Sequence, residues 1–492
     1  MSRPHWDRLA LALSLAAVVA GGLVTWGIFD GLPHLEDEFA NLWQAEVMAD
    51  GRLRLPSPPE APSFLVPFVV DYEGWRFGKY PPGWPAALSL GARAGAAWLV
   101  NPLLAGLAVW LTYRLASRFL SGGASLLAAG LVASSPIFLI QSGAIMSHNL
   151  SLALALIFCL AWLDLFVPPL SAVPEWVLAC VAGASLGLLA LTRPLTAVGV
   201  GLPFAGHAVG QLRSQRGRRW LLVIGGLAAG LTALIPWWQF ALSGDPWLNL
   251  YRLWWHYDRV GFGPGVGLVQ GGHSLSTAWH NAGYSLEVGM HDAFGWPYLS
   301  WLFLPFGLWA LRRCSGAWLP LSILPALVLA YAAYWIGAGL LGPRYYYEGL
   351  PGLALATAAG VCWLADKALP GQRRWTRLAV TGLLAGLMTV NMVLYLPARL
   401  TSLHGLYGID RAELEPLLNV DLDRTLIFVE PGHWTGYANL LPLAPPFADS
   451  RTFVAWSRGP AADQRVKLLF EGHRVYRYDP ATPGVLYLQA EG

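Results

Sequence analysis

The stretch LALALSLAAVVAGGLVTWGIF, residues 9–29, carries no charged side chain, and DGLPHLEDEFA, residues 30–40, follows it with four acids. At 1.5 Å per residue, a helix of that length spans the roughly 30 Å of bilayer hydrocarbon. Arg3 and Arg8 precede the run as in a signal peptide, yet no small-residue cleavage site follows it. The run therefore reads as a retained signal-anchor helix, and the abrupt turn to acids marks its exit from the membrane.

The same alternation continues along the chain. Of 492 residues, 55% are hydrophobic and 12% charged, with a mean hydropathy of +0.46. A soluble domain carries about 25% charged residues, so water is not the solvent for most of this protein. The formal charge of +3 is small and dispersed, which excludes nucleic acid as a partner. Cys159, Cys180, Cys314 and Cys362 all fall in or beside apolar segments, and no disulfide is expected.

Stretches long enough to cross a bilayer lie near residues 9–29, 98–118, 122–141, 148–167, 175–192, 194–211, 219–242, 296–311, 317–338, 348–366 and 377–396. The expected fold is thus an all-α polytopic membrane protein of about eleven transmembrane helices. With a cytoplasmic N-terminus, alternate connections should be rich in Lys and Arg. Arg114 and Arg118 end the second span, Arg213, Arg216, Arg218 and Arg219 the sixth, and Arg312 and Arg313 the eighth; Lys367, Arg373, Arg374 and Arg377 separate the tenth from the eleventh. The connection from Val167 to Pro174 has no basic residue and departs from the pattern. This register places the long polar regions 30–97 and 243–295 outside the cell membrane. Residues 1–400 then form the membrane domain. Residues 401–492, with short alternating runs between Gly and Pro turns, form a small extracytoplasmic domain that is α/β or β-rich.

The unusual polar residues gather on that outer face. Phe39, Leu42, Trp43 and Val47 recur at helical spacing, so Glu36, Asp37 and Glu38 occupy the first turn of an amphipathic interfacial helix closed by Gly51. A helix N-terminus stabilises a carboxylate, which keeps Asp37 ionised and able to take a hydroxyl proton; N-capping is the simpler role. Lys79 is one of three lysines in the chain and stands in Gly78-Lys79-Tyr80-Pro81-Pro82-Gly83-Trp84-Pro85, where its ammonium suits a phosphate or snorkels to the interface. Arg344, before Tyr345, Tyr346, Tyr347 and Glu348, pairs with a phosphate or with Glu348. Arg193, before Pro194, follows the same logic. His148 ligates a metal, contacts substrate or bonds locally. The loop 243–295 holds four histidines and several acids without a metal-site spacing, and its Trp residues suit either sugar stacking or an interfacial belt.

In their order, four segments resemble the C-type, polyprenyl-phosphate-dependent integral membrane glycosyltransferases, in particular the bacterial branch related to protein O-mannosyltransferases and aminoarabinose transferases. They are the Asp37-Glu38 pair after the first span, the Lys79 to Pro85 re-entry, Tyr113-Arg114-Leu115-Ala116 closing the second span, and Gly342-Pro343-Arg344-Tyr345-Tyr346 before a late one. Together they draw on roughly residues 1–400. The resemblance implies a GT-C-like fold in a bacterial inner membrane and a hexosyl or pentosyl donor linked to polyprenyl phosphate. It further implies inverting transfer on the extracytoplasmic side. Asp37 would be the general base with Glu38 supporting it. Lys79, Arg344 and Arg193 would bind the donor phosphate, and His148, Tyr345, Tyr346 and Trp84 would line the substrate pocket. Where the family often has an acid in the second outer loop, this chain has Ser147-His148-Asn149, so a divalent metal is left unsupported. A transporter or flippase of lipid-linked saccharides is the alternative; nearly charge-free spans and the lack of an internal repeat weigh against it.

Overall fold

The computed structural model describes residues 3–366, 373–447 and 450–489, and most of them are helical. Lys367 and the side chain of Arg373, both used above to orient the chain, lie outside the described residues. Among the described residues, seven helical stretches are long and apolar enough to cross a membrane: Pro4–Gly27, Ala97–Ala116, His148–Phe166, Glu175–Thr192, Gln215–Ser243, Arg344–Asp366 and Arg374–Gly408. The pair Gly122–Ala133 and Pro136–Gly143, bent by 58° at its break, makes an eighth if read as one broken span. The chain is a multi-pass membrane protein.

Three of the eleven expected stretches fall outside that set, each for a local reason. Pro194–Gln211 is a helix of 18 residues but contains Pro203 and the polar residues His207 and Gln211. The stretch 296–311 is helical only over Leu304–Leu311. The stretch 317–338 gives Trp318–Leu321 and Ile323–Tyr331, a short apolar unit that packs on Pro194–Gln211.

The first helix, α1 (Arg3–Gly27), leads into α2 (Glu36–Ala49), which ends at Asp50 and Gly51, the latter with φ +81. α2 buries Phe39, Ala40, Trp43, Ala45 and Val47, because α3 (Gly83–Arg93) and a small sheet cover it. That sheet was not visible in the sequence: β1 (Leu55–Pro56), β2 (Val69–Tyr72) and β3 (Trp75–Gly78) pair antiparallel in the order β1-β3-β2. Glu73 and Gly74, both at positive φ, make the tight two-residue connection.

Residues 425–488 carry a second sheet. In it β4 (Thr425–Val429) is flanked in parallel by β5 (Thr452–Trp456) and β6 (Arg474–Tyr478), and β7 (Leu486–Leu488) closes antiparallel on β6. All five β4 residues are buried, Ile427 and Val429 in one apolar cluster and Leu426 and Phe428 in another, as a central strand covered on both faces requires. The tail is not free of the rest. Arg465 holds Glu60 through two hydrogen bonds of 2.5 and 3.0 Å, and Phe39, Ile409 and Ala438 share one apolar cluster.

Candidate active site

The first turn of α2 presents three consecutive acids, and they meet three different surroundings. Glu38 folds back on the helix start, where Oε2 accepts from the amides of His34 (2.9 Å) and Leu35 (3.0 Å) and Oε1 from Ile145 (2.6 Å). It is 1% exposed, and it is a capping residue rather than a second acid beside Asp37. Burial raises its pKa, against the opposing pull of the nearby His34 and those amides. Glu36, which the sequence reading did not single out, lines the main cavity instead, and burial raises its pKa too. No other described residue donates a hydrogen bond to its carboxylate.

Asp37 faces the same cavity, of about 880 Å³. The Tyr80 hydroxyl donates to Oδ1, and Arg344 Nη2 stands 3.9 Å from Oδ2, too far for a direct hydrogen bond. One carboxylate oxygen is thus spoken for, and the other faces a cation with room between them. Arg344 does not pair with Glu348. The 3₁₀ turn Arg344–Gly349 points the two side chains apart, and Gly342 at φ +80 permits the approach, since a Cβ there would stand 2.8 Å from Ile137.

Lys79 reaches the cavity from the end of β3, where Gln44 accepts from the Gly78 amide at 2.8 Å and so ties the hairpin to α2. Its Nζ donates to Asp258 Oδ2 at 3.3 Å and lies 3.5 Å from the centroid of Phe68 and 4.8 Å from that of Trp255. Asp258 Oδ1 also accepts from Tyr334 Oη and Trp335 Nε1, both at 3.0 Å. Desolvation lowers the Lys79 pKa, with Asp258 the largest opposing influence. Lys79 is 2% exposed, so the free interfacial ammonium expected from the sequence is in fact a caged, paired one.

Arg193 organises a third cluster. It donates to His148 Nε2 (2.6 Å), Tyr331 Oη (2.9 Å) and Thr196 Oγ1 (3.0 Å), and Glu348 Oε1 lies 3.9 Å away. A guanidinium only donates, so His148 Nε2 accepts, which leaves the ring proton on Nδ1. That Nδ1 and Glu348 Oε2 are buried without hydrogen-bond partners, while Ser151 donates to Glu348 Oε1. The re-entrant α3 begins against this cluster: a Cβ on Gly83 would stand 2.6 Å from Thr192 Oγ1.

Asp37, Lys79, Trp84, His148, Arg193, Arg344 and Tyr345 therefore all line one cavity. Trp84 is fixed by an Nε1 hydrogen bond to Ile145 O (3.2 Å), and Tyr345 stacks on Tyr331 with centroids 4.6 Å apart. Tyr346 does not join them; it faces a small apolar pocket with Ile137, Pro343 and Leu350. Tyr80, Asp258, Arg259, Tyr334 and Tyr407 are cavity residues beyond those the sequence reading had placed at the site. Arg259 has no carboxylate partner among the described residues; its Nη2 donates to Pro264 O at 3.1 Å. A signal for this pair was present in Tyr257-Asp258-Arg259, adjacent opposite charges inside an aromatic loop. Among the described residues, no group of three or more His, Cys, Asp or Glu is placed to hold a metal ion.

No protein-family model matches the chain, and no curated protein matches it. Solved structures do. ArnT from Cupriavidus metallidurans bound to undecaprenyl phosphate is similar with a TM-score of 0.62 at 13% identity, over 97% of this chain and 93% of that one. The apo state of the same protein gives 0.60 at 14% identity over the same shares. Archaeal oligosaccharyltransferase AglB from Archaeoglobus fulgidus, in complex with an inhibitory peptide and a dolichol-phosphate, gives 0.51 at 13% identity over 95% and 69%. The chain thus has the fold of these solved structures.

Proposed function

We propose that the protein transfers a sugar from a polyprenyl-phosphate donor to an acceptor hydroxyl, with inversion, on the extracytoplasmic side of a bacterial inner membrane. The observation that carries this reading is the facing of Asp37 and Arg344 across a gap inside a cavity of about 880 Å³. Residues of the first loop line that cavity together with the apolar Leu195 and Ile235. A lipid-borne donor lies between such helices while its phosphate meets the cations. We take the three shorter helical stretches as further crossings. They bring the count to eleven and set the N-terminus in the cytoplasm and residues 401–492 outside as a small domain.

In the reaction, Asp37 Oδ2 accepts the proton of the acceptor hydroxyl as its oxygen attacks the anomeric carbon from the face opposite the phosphate. The bond from that carbon to the phosphate oxygen breaks, and polyprenyl phosphate leaves with the electron pair. Negative charge grows on the phosphate, where preorganised cations are most effective; Arg344 and Arg259 supply hydrogen bonds and Arg193 a fixed charge. Tyr80 holds Asp37 in place. Lys79, already engaged by Asp258, acts through its charge and as an anchor of the cavity wall. Trp84, Tyr345 and His148 shape the sugar pocket.

The test is comparative glycan and lipid analysis of a deletion strain complemented with wild type or Asp37→Asn. Wild type restores the missing sugar and Asp37→Asn, inserted at equal level, does not. An unchanged envelope in the deletion strain, or full rescue by Asp37→Asn, overturns the reading.

A further inference from the structure

The tail reaches the cavity at one point. Tyr407 lines it beside Glu36, Asp37 and Arg344, and it is the cavity's contribution from the segment beyond residue 400. Its backbone is left-handed, with φ +62 and ψ +20, between Gly405 at +63 and Gly408 at +72. Glycine suits that conformation; a tyrosine is strained in it. Burial does not compensate, since the side chain belongs to a residue 44% exposed. Its ring has one aromatic neighbour, Trp434, at 6.0 Å and 57°.

The surroundings hold this ring in place. Trp434 meets Phe39 of α2 edge-on at 6.3 Å, and two residues past Tyr407, Ile409 is fully buried with its carbonyl 3.1 Å from His34 Nε2. His34 Nδ1 faces Leu32 O at 3.0 Å. Both partners are carbonyl oxygens, to which a ring nitrogen donates. The ring is thus pinned to the turn that carries the three acids. Next to it, the Glu36 carboxylate accepts from its own backbone amide and from no other described residue.

Resting on the proposed transferase reading, we infer that Tyr407 and Glu36 form the acceptor subsite, and that the acceptor presents a saccharide ring there. An exposed aromatic face takes the apolar C–H side of a sugar, and a carboxylate with lone pairs to spare accepts from its hydroxyls. A neighbouring hydroxyl of the same ring then lies toward Asp37. The tail is in this account a specificity element.

The experiment uses the full chain in nanodiscs with two readouts. Retention of undecaprenyl phosphate is measured by native mass spectrometry, and binding to a glycan array of bacterial envelope oligosaccharides is compared with binding to a Ser/Thr-rich peptide array. The variants are Tyr407→Gly, Tyr407→Phe and Glu36→Gln. Tyr407→Gly relieves the backbone, so its thermal midpoint holds or rises, while glycan binding falls at least tenfold and lipid retention is unchanged. Tyr407→Phe keeps binding within threefold, and Glu36→Gln lowers it at least fivefold. A wild type that retains no undecaprenyl phosphate counts against the transferase reading itself. If lipid is retained, three outcomes overturn the acceptor subsite: no glycan bound, peptides bound instead, or glycan binding untouched by Tyr407→Gly.

Discussion

The cavity has two acidic poles, and they are built differently. Asp258 is 2% exposed and saturated: Lys79, Tyr334 and Trp335 all donate to it. Asp37 has one hydrogen-bond donor, Tyr80, and a guanidinium held off at 3.9 Å. A buried carboxylate engaged by three donors, one of them an ammonium, keeps a wall in place and is poorly suited to take a proton. An acid with one free oxygen facing a cation across a gap has that capacity. The contrast separates a group that holds the cavity wall from the group proposed to react in it.

The contrast breaks most readily at Asp37. Asp37→Asn should lower the transfer rate by about 10²- to 10⁴-fold, the range of a lost general base, with the thermal midpoint unchanged. A comparable loss of stability would make Asp37 a second structural pole. Asp258→Ala should do the reverse. It leaves Lys79 buried and unpaired, which costs about 3–5 kcal/mol, and the double variant Lys79→Met, Asp258→Asn should regain most of that. Thermal denaturation of the three proteins in one detergent measures it. A double variant as unstable as the single one would show that the pair is not the unit that matters.

Arg344→Ala should weaken retention of the lipid-phosphate donor about tenfold to a hundredfold, the value of one or two charge-assisted hydrogen bonds, and leave acceptor binding near wild type. Equal effects on both would place the phosphate elsewhere. The smallest effect belongs to Glu46, at the far end of α2, whose pKa burial alone raises from 4.5 to about 7. The folded protein then holds a proton that the unfolded chain has released between pH 4.5 and 7. Stability from this group is greatest at the acid end and is lost as pH rises through that window. Glu46→Gln should flatten the corresponding fall in thermal midpoint, and an unchanged slope would assign it to other groups.

Much of this architecture was legible in the sequence because length and apolarity alone specify a membrane helix. The stretches at 9–29, 148–167 and 175–192 match helices ending within a few residues of those limits. The stretch at 296–311 was harder, since an apolar run does not reveal where backbone turns interrupt it. At the site, composition located Asp37, Lys79, Arg193 and Arg344, all rare charges beside apolar segments. It did not reveal their partners. Whether Arg344 meets Glu348 or Asp37 depends on a 3₁₀ turn, and whether Lys79 is free depends on a loop nearly 180 residues away. Glu38, expected beside Asp37, turns to the helix start while Glu36 lines the cavity, because each residue along a helix rotates the side chain by about 100°.

The grip of His34 on Leu32 and Ile409 uses only main-chain oxygens. The contact with Ile409 would survive a change of side chain at the residue supplying the carbonyl, leaving the Arg465–Glu60 pair and the apolar cluster to supply the rest. The residues presented to the acceptor can therefore be rewritten by drift or by grafting while the attachment persists. Exchange of tails between proteins of this architecture becomes a practical route to new acceptor preferences, provided the histidine stays.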